Sequence, residues 1–357
     1  MKSLKFAVPI FLLTITNIHA WSARLPENGE SSAVRACSPC ETWELYFSAL
    51  VVQPTASNMH YAVEAIPLPL QSPNWNVFDV CPKYRFGFDI GGRGWIGDCG
   101  TNVVVHWEHF QSSISAVQQV GTQNLVGPFF EIGPDAAPYG QVAGNVCIRF
   151  DEASVDIGQL ICVSDYLAVN LLCGVDVARI QEDRASFFTN PAGTITRTIT
   201  TPLQFIGAGP EVGVEFIYKL FCELYLTGKT QAALLAGRMK NNTHYVSTSP
   251  LLTALGLPNP NGQNAGVQNR SALVPAFEEK LGLSYNFSSW CGWFLCALEV
   301  GYQAQIYLSA LQSIDVGSEV DMVPVGDASV GIFARTFQRN ISNFALAGPY
   351  VTLSVAF

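Results

Sequence analysis

The chain has 357 residues, of which 49% are hydrophobic and only 13% charged, with a formal net charge of −9. Ordinary soluble domains carry about a quarter of their residues as charges, and nucleic-acid binding calls for clustered Lys and Arg, so a freely soluble enzyme and a nucleic-acid partner are both disfavoured. Past the N-terminus no apolar run reaches the roughly 18 residues a helix needs to cross a bilayer, so the apolar residues must be spread one at a time along some other element.

Residues 1–20 have the form of a secretory signal: Lys2 and Lys5, an apolar core from Phe6 to Ile15, and the small Ala20 before a cut. A short periplasmic lead, residues 21–41, follows and carries Cys37 and Cys40. From residue 42 to 357 the pattern becomes period-two alternation, the signature of strands with unlike surroundings on their two faces. Trp43, Leu45, Phe47, Ala49 and Val51 share one face; Tyr84, Phe86, Phe88 and Ile90 alternate with Lys83, Arg85, Gly87 and Asp89. Val103, Val105 and Trp107 alternate with Asn102, His106 and Glu108, and Phe294, Cys296, Leu298, Val300 and Tyr302 do so with Glu299 and its neighbours. The chain ends on Val351, Leu353, Val355 and Phe357, again on one face.

In these segments the bulky face suits lipid, and the second face, made of small and lightly polar residues, suits an aqueous lumen. A sheet that crosses lipid must satisfy every backbone group and therefore closes on itself. The expected fold is an all-β, closed antiparallel transmembrane barrel in a bacterial outer membrane. Stretches without alternation fall into long ones (53–80, 111–142, 181–203, 239–271 and 309–342) and short ones (91–98, 163–166, 217–219 and 286–292). Long extracellular loops alternating with short periplasmic turns predict about ten strands. Residues 220–238 then form one strand through Gly228-Lys229. Val146, Ile148 and Phe150 have opposite parity to Val155, Ile157 and Ile161; a bulge at 151–154 would restore the phase, whereas a hairpin there would make twelve strands.

Several segments, Phe205-Ile-Gly-Ala-Gly-Pro-Glu-Val-Gly213, Leu281-Gly-Leu-Ser-Tyr285 and Val300-Gly-Tyr-Gln-Ala-Gln-Ile306, resemble recurring pieces of the Legionella-type major outer membrane proteins. Val155-Asp-Ile-Gly158 and Leu171-Leu-Cys-Gly174 resemble another stretch of that family, and the resemblance runs from Trp43 to Phe357. It implies a porin-like barrel abundant at the cell surface. The ten cysteines are similar in number to those of the cysteine-rich forms in chlamydia-like bacteria, where disulfides cross-link outer-membrane proteins. The resemblance brings no catalytic residue with it.

Lys83, Arg85, Asp89, His106, Glu108, Arg149, Asp176, Glu223 and Glu299 fall on the face opposite the lipid and are the expected pore-lining groups. A Lys or Arg on the lipid face near mid-membrane would cost about 2–4 kcal/mol. They either form a selectivity lining or satisfy one another in a filled barrel. His106-Trp-Glu-His109 puts His106 and Glu108 on one face and His109 on the other, too few ligands on a side for a metal, and neither a catalytic grouping nor a cofactor is expected. Cys37, Cys40, Cys99, Cys162, Cys222, Cys291 and Cys296 gather at the periplasmic end and are disulfide candidates, while Cys81 lies near the outer rim and Cys147 and Cys173 within strands. The expected function is passive diffusion of small hydrophilic solutes and ions through a disulfide-stabilised envelope barrel. The alternative is a non-conducting structural or adhesive surface protein. Expected partners are outer-membrane lipid, the solutes or ions, and disulfide-linked envelope proteins or further copies of the chain.

Overall fold

The alternating segments form strands throughout a computed structural model that describes residues 43–56, 58–66, 74–96, 100–119, 125–127, 139–248, 250, 261–288, 295–323 and 329–357. The strands are β1 (Trp43–Ala56), β2 (His60–Ile66), β3 (Asn74–Asp79), β4 (Arg85–Ile96), β5 (Thr101–Gln119), β6 (Leu125–Gly127) and β7 (Gln141–Cys162). They continue as β8 (Leu167–Thr189), β9 (Thr196–Phe221), β10 (Leu224–Ser247), β11 (Asn261–Ser288), β12 (Leu295–Val323) and β13 (Ser329–Ala356). Ten of them close into one antiparallel barrel in the order β1-β13-β12-β11-β10-β9-β8-β7-β5-β4, and β3, β2 and β6 make a separate small sheet. Reciprocal backbone bonds between Trp43 and Phe357, 3.1 and 2.9 Å, tie the first barrel strand to the chain end. The signal at 1–20, the lead at 21–41, and Cys37, Cys40, Cys99 and Cys291 lie outside the described residues.

Bulky residues face outward as expected: Leu45, Phe47, Phe86, Ile90, Val105, Trp107, Val155, Ile157, Leu281, Val300 and Leu353 are all exposed on the barrel wall. Several bounds differ from expectation. The turn joining β9 to β10 falls at Cys222-Glu223, where Cys222 has a φ of 45°, and not at 217–219. β4 runs on to Ile96, beyond the start of the expected 91–98 turn. The segment 181–203 is no loop: β8 and β9 pair from Thr189↔Thr196 inward. Only a tight tip remains, in which the Asn190 side-chain oxygen accepts bonds from the amides of Thr194 (2.8 Å) and Ile195 (3.0 Å). Gly193 supplies the positive φ of 70° that this tip requires.

The largest correction concerns β7, which runs without a bulge from Gln141 to Cys162 and keeps one phase against both neighbours. Its apparent slip is a reversal of what each face meets. Toward the periplasm Val155 and Ile157 point out and Ser154 and Asp156 point in. Past Asp151 the order inverts, so that Arg149 and Asp151 point out while Val146, Ile148 and Phe150 are buried inside. β5 changes over at His109/Phe110, in register with Asp151/Phe150, and β8 at Arg179/Ile180. One end of each of these strands is therefore built for lipid outside, and the other, like a soluble sheet, for water outside and a dry interior.

Candidate functional site: the barrel interior

The interior is stacked in layers. In the part surrounded by the lipid-facing band, Glu278, Lys280, Lys229, Asp89, Glu108, Glu152 and Asp176 point inward and are nearly or wholly buried. Lys280 on β11 reaches Asp89 on β4, four strands around the ring, at 3.2 Å, and also meets Glu278 at 3.0 Å. Lys229 meets the other Glu278 oxygen at 3.4 Å. Arg93 on β4 spans the lumen to Glu215 on β9, and Asn170 donates to the same carboxylate at 3.0 Å. A third tie runs from Gln305 on β12, which donates to Glu108 on β5 at 2.9 Å. Near the periplasmic end Tyr350 donates to Glu299. Buried charges are tolerable when paired and hydrogen-bonded in this way.

Above the ionic layer lies an apolar one. Leu50, Phe110, Ile148, Phe150, Ile180, Leu203, Phe205, Leu235, Val274, Phe344 and Leu346, drawn from barrel strands all round the ring, are fully buried in a single cluster. The Phe150 ring stands 5.5 Å from that of Tyr307 and 5.7 Å from that of Phe344, centroid to centroid. β7 and β12 are five strands apart in a ten-strand ring, so these rings meet from opposite walls.

A third layer comes from the first extracellular connection. The β2–β3 hairpin folds into the barrel mouth, where Met59, Tyr61, Ala62 and Val80 join the same buried cluster. Tyr61 lies against Gly144 on the inner face of β7, so close that a Cβ there would come within 2.5 Å of its ring. Ser342 donates to the Asn58 side chain at 3.1 Å and Arg184 donates to the Asn58 carbonyl. Burial raises the Tyr61 phenol above its ordinary pKa, and Asp79 and Cys81 add to the shift. Further up, the buried Arg197 is held against the faces of Tyr139 and Tyr245 at 5.2 and 5.3 Å, a cation–π clamp.

Of the groups expected to line a pore, Asp89, Glu108 and Glu299 point inward and bond other side chains, and His106 and Asp176 point inward and are buried. The others are placed differently. Arg149 faces out, because it lies past the reversal on β7. Lys83 precedes β4 and is exposed, Arg85 stands exposed at its start, and Glu223 sits in the β9–β10 turn. His109 is outside and bonds Asp151 at 2.7 Å. Arg93, Glu152, Glu211, Glu215, Lys229, Glu278 and Lys280 were not among the expected groups. The same parity argument reaches them, but Glu278-Glu279-Lys280 breaks the visible alternation. Among the described residues no group of His, Cys, Asp and Glu has the placement to hold a metal ion.

Cys162 is disulfide-bonded. Of the disulfide candidates, Cys222 and Cys296 form no disulfide bond within the described residues, and Cys81, Cys147 and Cys173 are free as well. Cys222 stands exposed in its turn, and Cys296 has Phe287 and Val355 as its register partners, so among the described residues no thiol lies beside it.

The chain matches the family described as Legionella pneumophila major outer membrane protein precursor over residues 37–357. No curated protein matches it. Among solved structures it is similar to the outer membrane protease OmpT from Escherichia coli, at 10% identity and a TM-score of 0.41, covering 88% of this chain and 97% of that one. It is also similar to a Pseudomonas aeruginosa FadL homologue at 6% identity and a TM-score of 0.22, covering 88% and 90%. The P. putida toluene transporter TodX follows at 8% identity and a TM-score of 0.22, covering 92% of each chain.

Proposed function

The chain belongs to the Legionella major outer membrane protein family, an integral β-barrel of the bacterial outer membrane, and on that premise we propose that it is a structural surface barrel whose lumen is closed at rest. One observation carries this reading: the rings of Phe150 and Tyr307 touch from opposite walls within a fully buried apolar layer. A hydrated ion cannot share that layer, because burying an unpaired charge among apolar groups is costly. The hairpin above it closes the same route a second time. The barrel then serves as a stiff wall element, displaying its strand ends and loops to the surroundings. The exposed thiol of Cys222 at the periplasmic end is the group that disulfide links to neighbouring envelope proteins would draw on.

A second reading, passive diffusion of small hydrophilic solutes and ions, is favoured by the ionic layer. Oxygens of Asp89, Glu152, Asp156, Asp176 and Glu211 have no hydrogen-bond partner among the described residues, and such atoms are ordinarily satisfied by water. On that reading the hairpin and the apolar layer must move aside before anything passes. Planar bilayers loaded with purified protein separate the two. The closed-barrel reading expects a membrane that stays tight at high loading, and discrete conductance steps from the unmodified protein would sink it.

A further inference from the structure

The reversal of faces leaves a basic patch on the outer wall, and nothing in the interior explains it. Two outward rungs cross β7 to β10. The lower runs from Asp151 through Arg179 and Ile206 to Arg238. The upper runs from Arg149 through Gln181 and Gln204 to Lys240. All four cations are exposed. The two acids on this face have partners other than the four cations: Asp151 is bonded by His109 at 2.7 Å and Asp183 accepts from Gln181 at 2.9 Å. Arg149, Arg238 and Lys240 have no acidic partner among the described residues, and Arg179 has only the Gln181 amide, at 3.2 Å.

Directly below this patch the same strands show lipid small and apolar residues, Ala153, Val177, Ala208 and Ala236 first, with Val155, Val175, Pro210, Val212 and Leu234 beneath them. The cations therefore stand where the acyl-chain region ends and headgroups begin, on the side away from the short turns, which is the outer leaflet. Neighbouring strands lie about 4.8 Å apart, so Arg179 and Arg238 are separated by roughly 10 Å across Ile206. Cations at that level draw anionic headgroups, and guanidinium groups hold phosphate oxygens in pairs.

We propose that this patch binds a phosphorylated headgroup of an outer-leaflet lipid, with Arg238 and Lys240 holding one side, Arg149 and Arg179 the other, and the acyl chains lying on the valines below. This site is independent of whether the lumen opens, so conductance measurements leave it untouched. Native mass spectrometry of the detergent-solubilised full chain, mixed with bis-phosphorylated lipid A, tests it. Wild type is expected to retain the lipid. Arg149→Gln/Arg238→Gln/Lys240→Gln is expected to lose at least about tenfold in retention, as removal of three interfacial cations implies. The charge-preserving Arg149→Lys/Arg238→Lys should retain most of it, which guards against a folding defect in the first variant. The proposal is overturned if the neutralised variant retains the lipid like wild type, or if dephosphorylated lipid A binds equally well. Full displacement by millimolar inorganic phosphate would overturn it too, by making the ligand a free anion.

Discussion

Phe150 and Tyr307 belong to strands on opposite sides of the barrel, yet their rings stand 5.5 Å apart at 61°, an edge-on contact across what would be the channel. Phe344 completes the triangle, 5.7 Å from Phe150 and 6.3 Å from Tyr307. Each ring is buried. The pair therefore acts as both a brace and a seal. Cutting it back should separate those two roles.

Phe150→Ala/Tyr307→Ala is expected to lower stability by several kcal/mol, since a single buried Phe→Ala costs about 3–5 kcal/mol. It should also produce ion conductance in planar bilayers where wild type gives none. Combined with removal of the β2–β3 hairpin the conductance should rise further, because the hairpin closes the mouth above the rings. A double variant that folds and remains silent would place the barrier in the hairpin or in the ionic layer.

Lys280 holds the second lock, bonded at once to Asp89 (3.2 Å) and Glu278 (3.0 Å). Replacing it with Met leaves two buried carboxylates short of a partner, and breaking a buried pair from one side costs about 3–5 kcal/mol. Urea unfolding in liposomes should therefore show a clear drop in midpoint for Lys280→Met. Lys83→Met, at an exposed position outside the strands, should leave the midpoint unchanged. Equal midpoints for the two variants would mean that the ionic layer is solvated and contributes little.

Much of the outer surface is visible in the amino-acid order, because lipid demands apolar residues at every second position and the lumen side there is polar. Leu353, Val300, Trp107 and Ile90 announce their direction, and the number of barrel strands follows. The interior was less legible. Val146, Ile148 and Phe150 obey the same alternation as Val155 and Ile157 but serve the opposite face, and from sequence alone a change of surroundings looks like a slipped register. Regions such as 181–203 look loop-like for the same reason: outside the membrane Thr, Gln and Pro on the outer face differ little from loop composition. Only the cross-strand registers tell the two cases apart, and these are contacts between residues distant in the chain.

The reversal of faces predicts an unusual pattern of thiol reactivity. Cys147 and Cys173 both point outward, Cys147 beyond Arg149 on β7 and Cys173 between Leu171 and Val175 on β8. Cys173 is the more exposed of the two on the bare barrel wall, but lipid should cover it. A membrane-impermeant maleimide added to protein in vesicles should label Cys147 and spare Cys173, and dissolving the vesicles in denaturant should make both react. Labelling of Cys173 in intact vesicles would move the membrane band and with it the basic patch above.

Gly144 decides whether the hairpin can stay in the mouth. Any side chain there would drive its Cβ to within 2.5 Å of the Tyr61 ring, and β7 cannot yield, being paired on both sides. Gly144→Leu should therefore expel the hairpin while leaving the barrel closed by its own strands. Methionine oxidation offers a readout, because sulfoxide formation follows exposure. Met59 in the hairpin and Met239 on the inner face of β10 are both buried, at 5% and 8% exposure. In wild type, dilute peroxide should leave both largely unoxidised over minutes. In Gly144→Leu, peptide mapping should find Met59 oxidised several times faster and Met239 still protected, because it is packed within the apolar layer on the same rung as Phe150. If both remain protected, the hairpin tolerates the leucine, and the plug is held by Asn58, Arg184 and Ser342 and not by the fit of Tyr61 on Gly144.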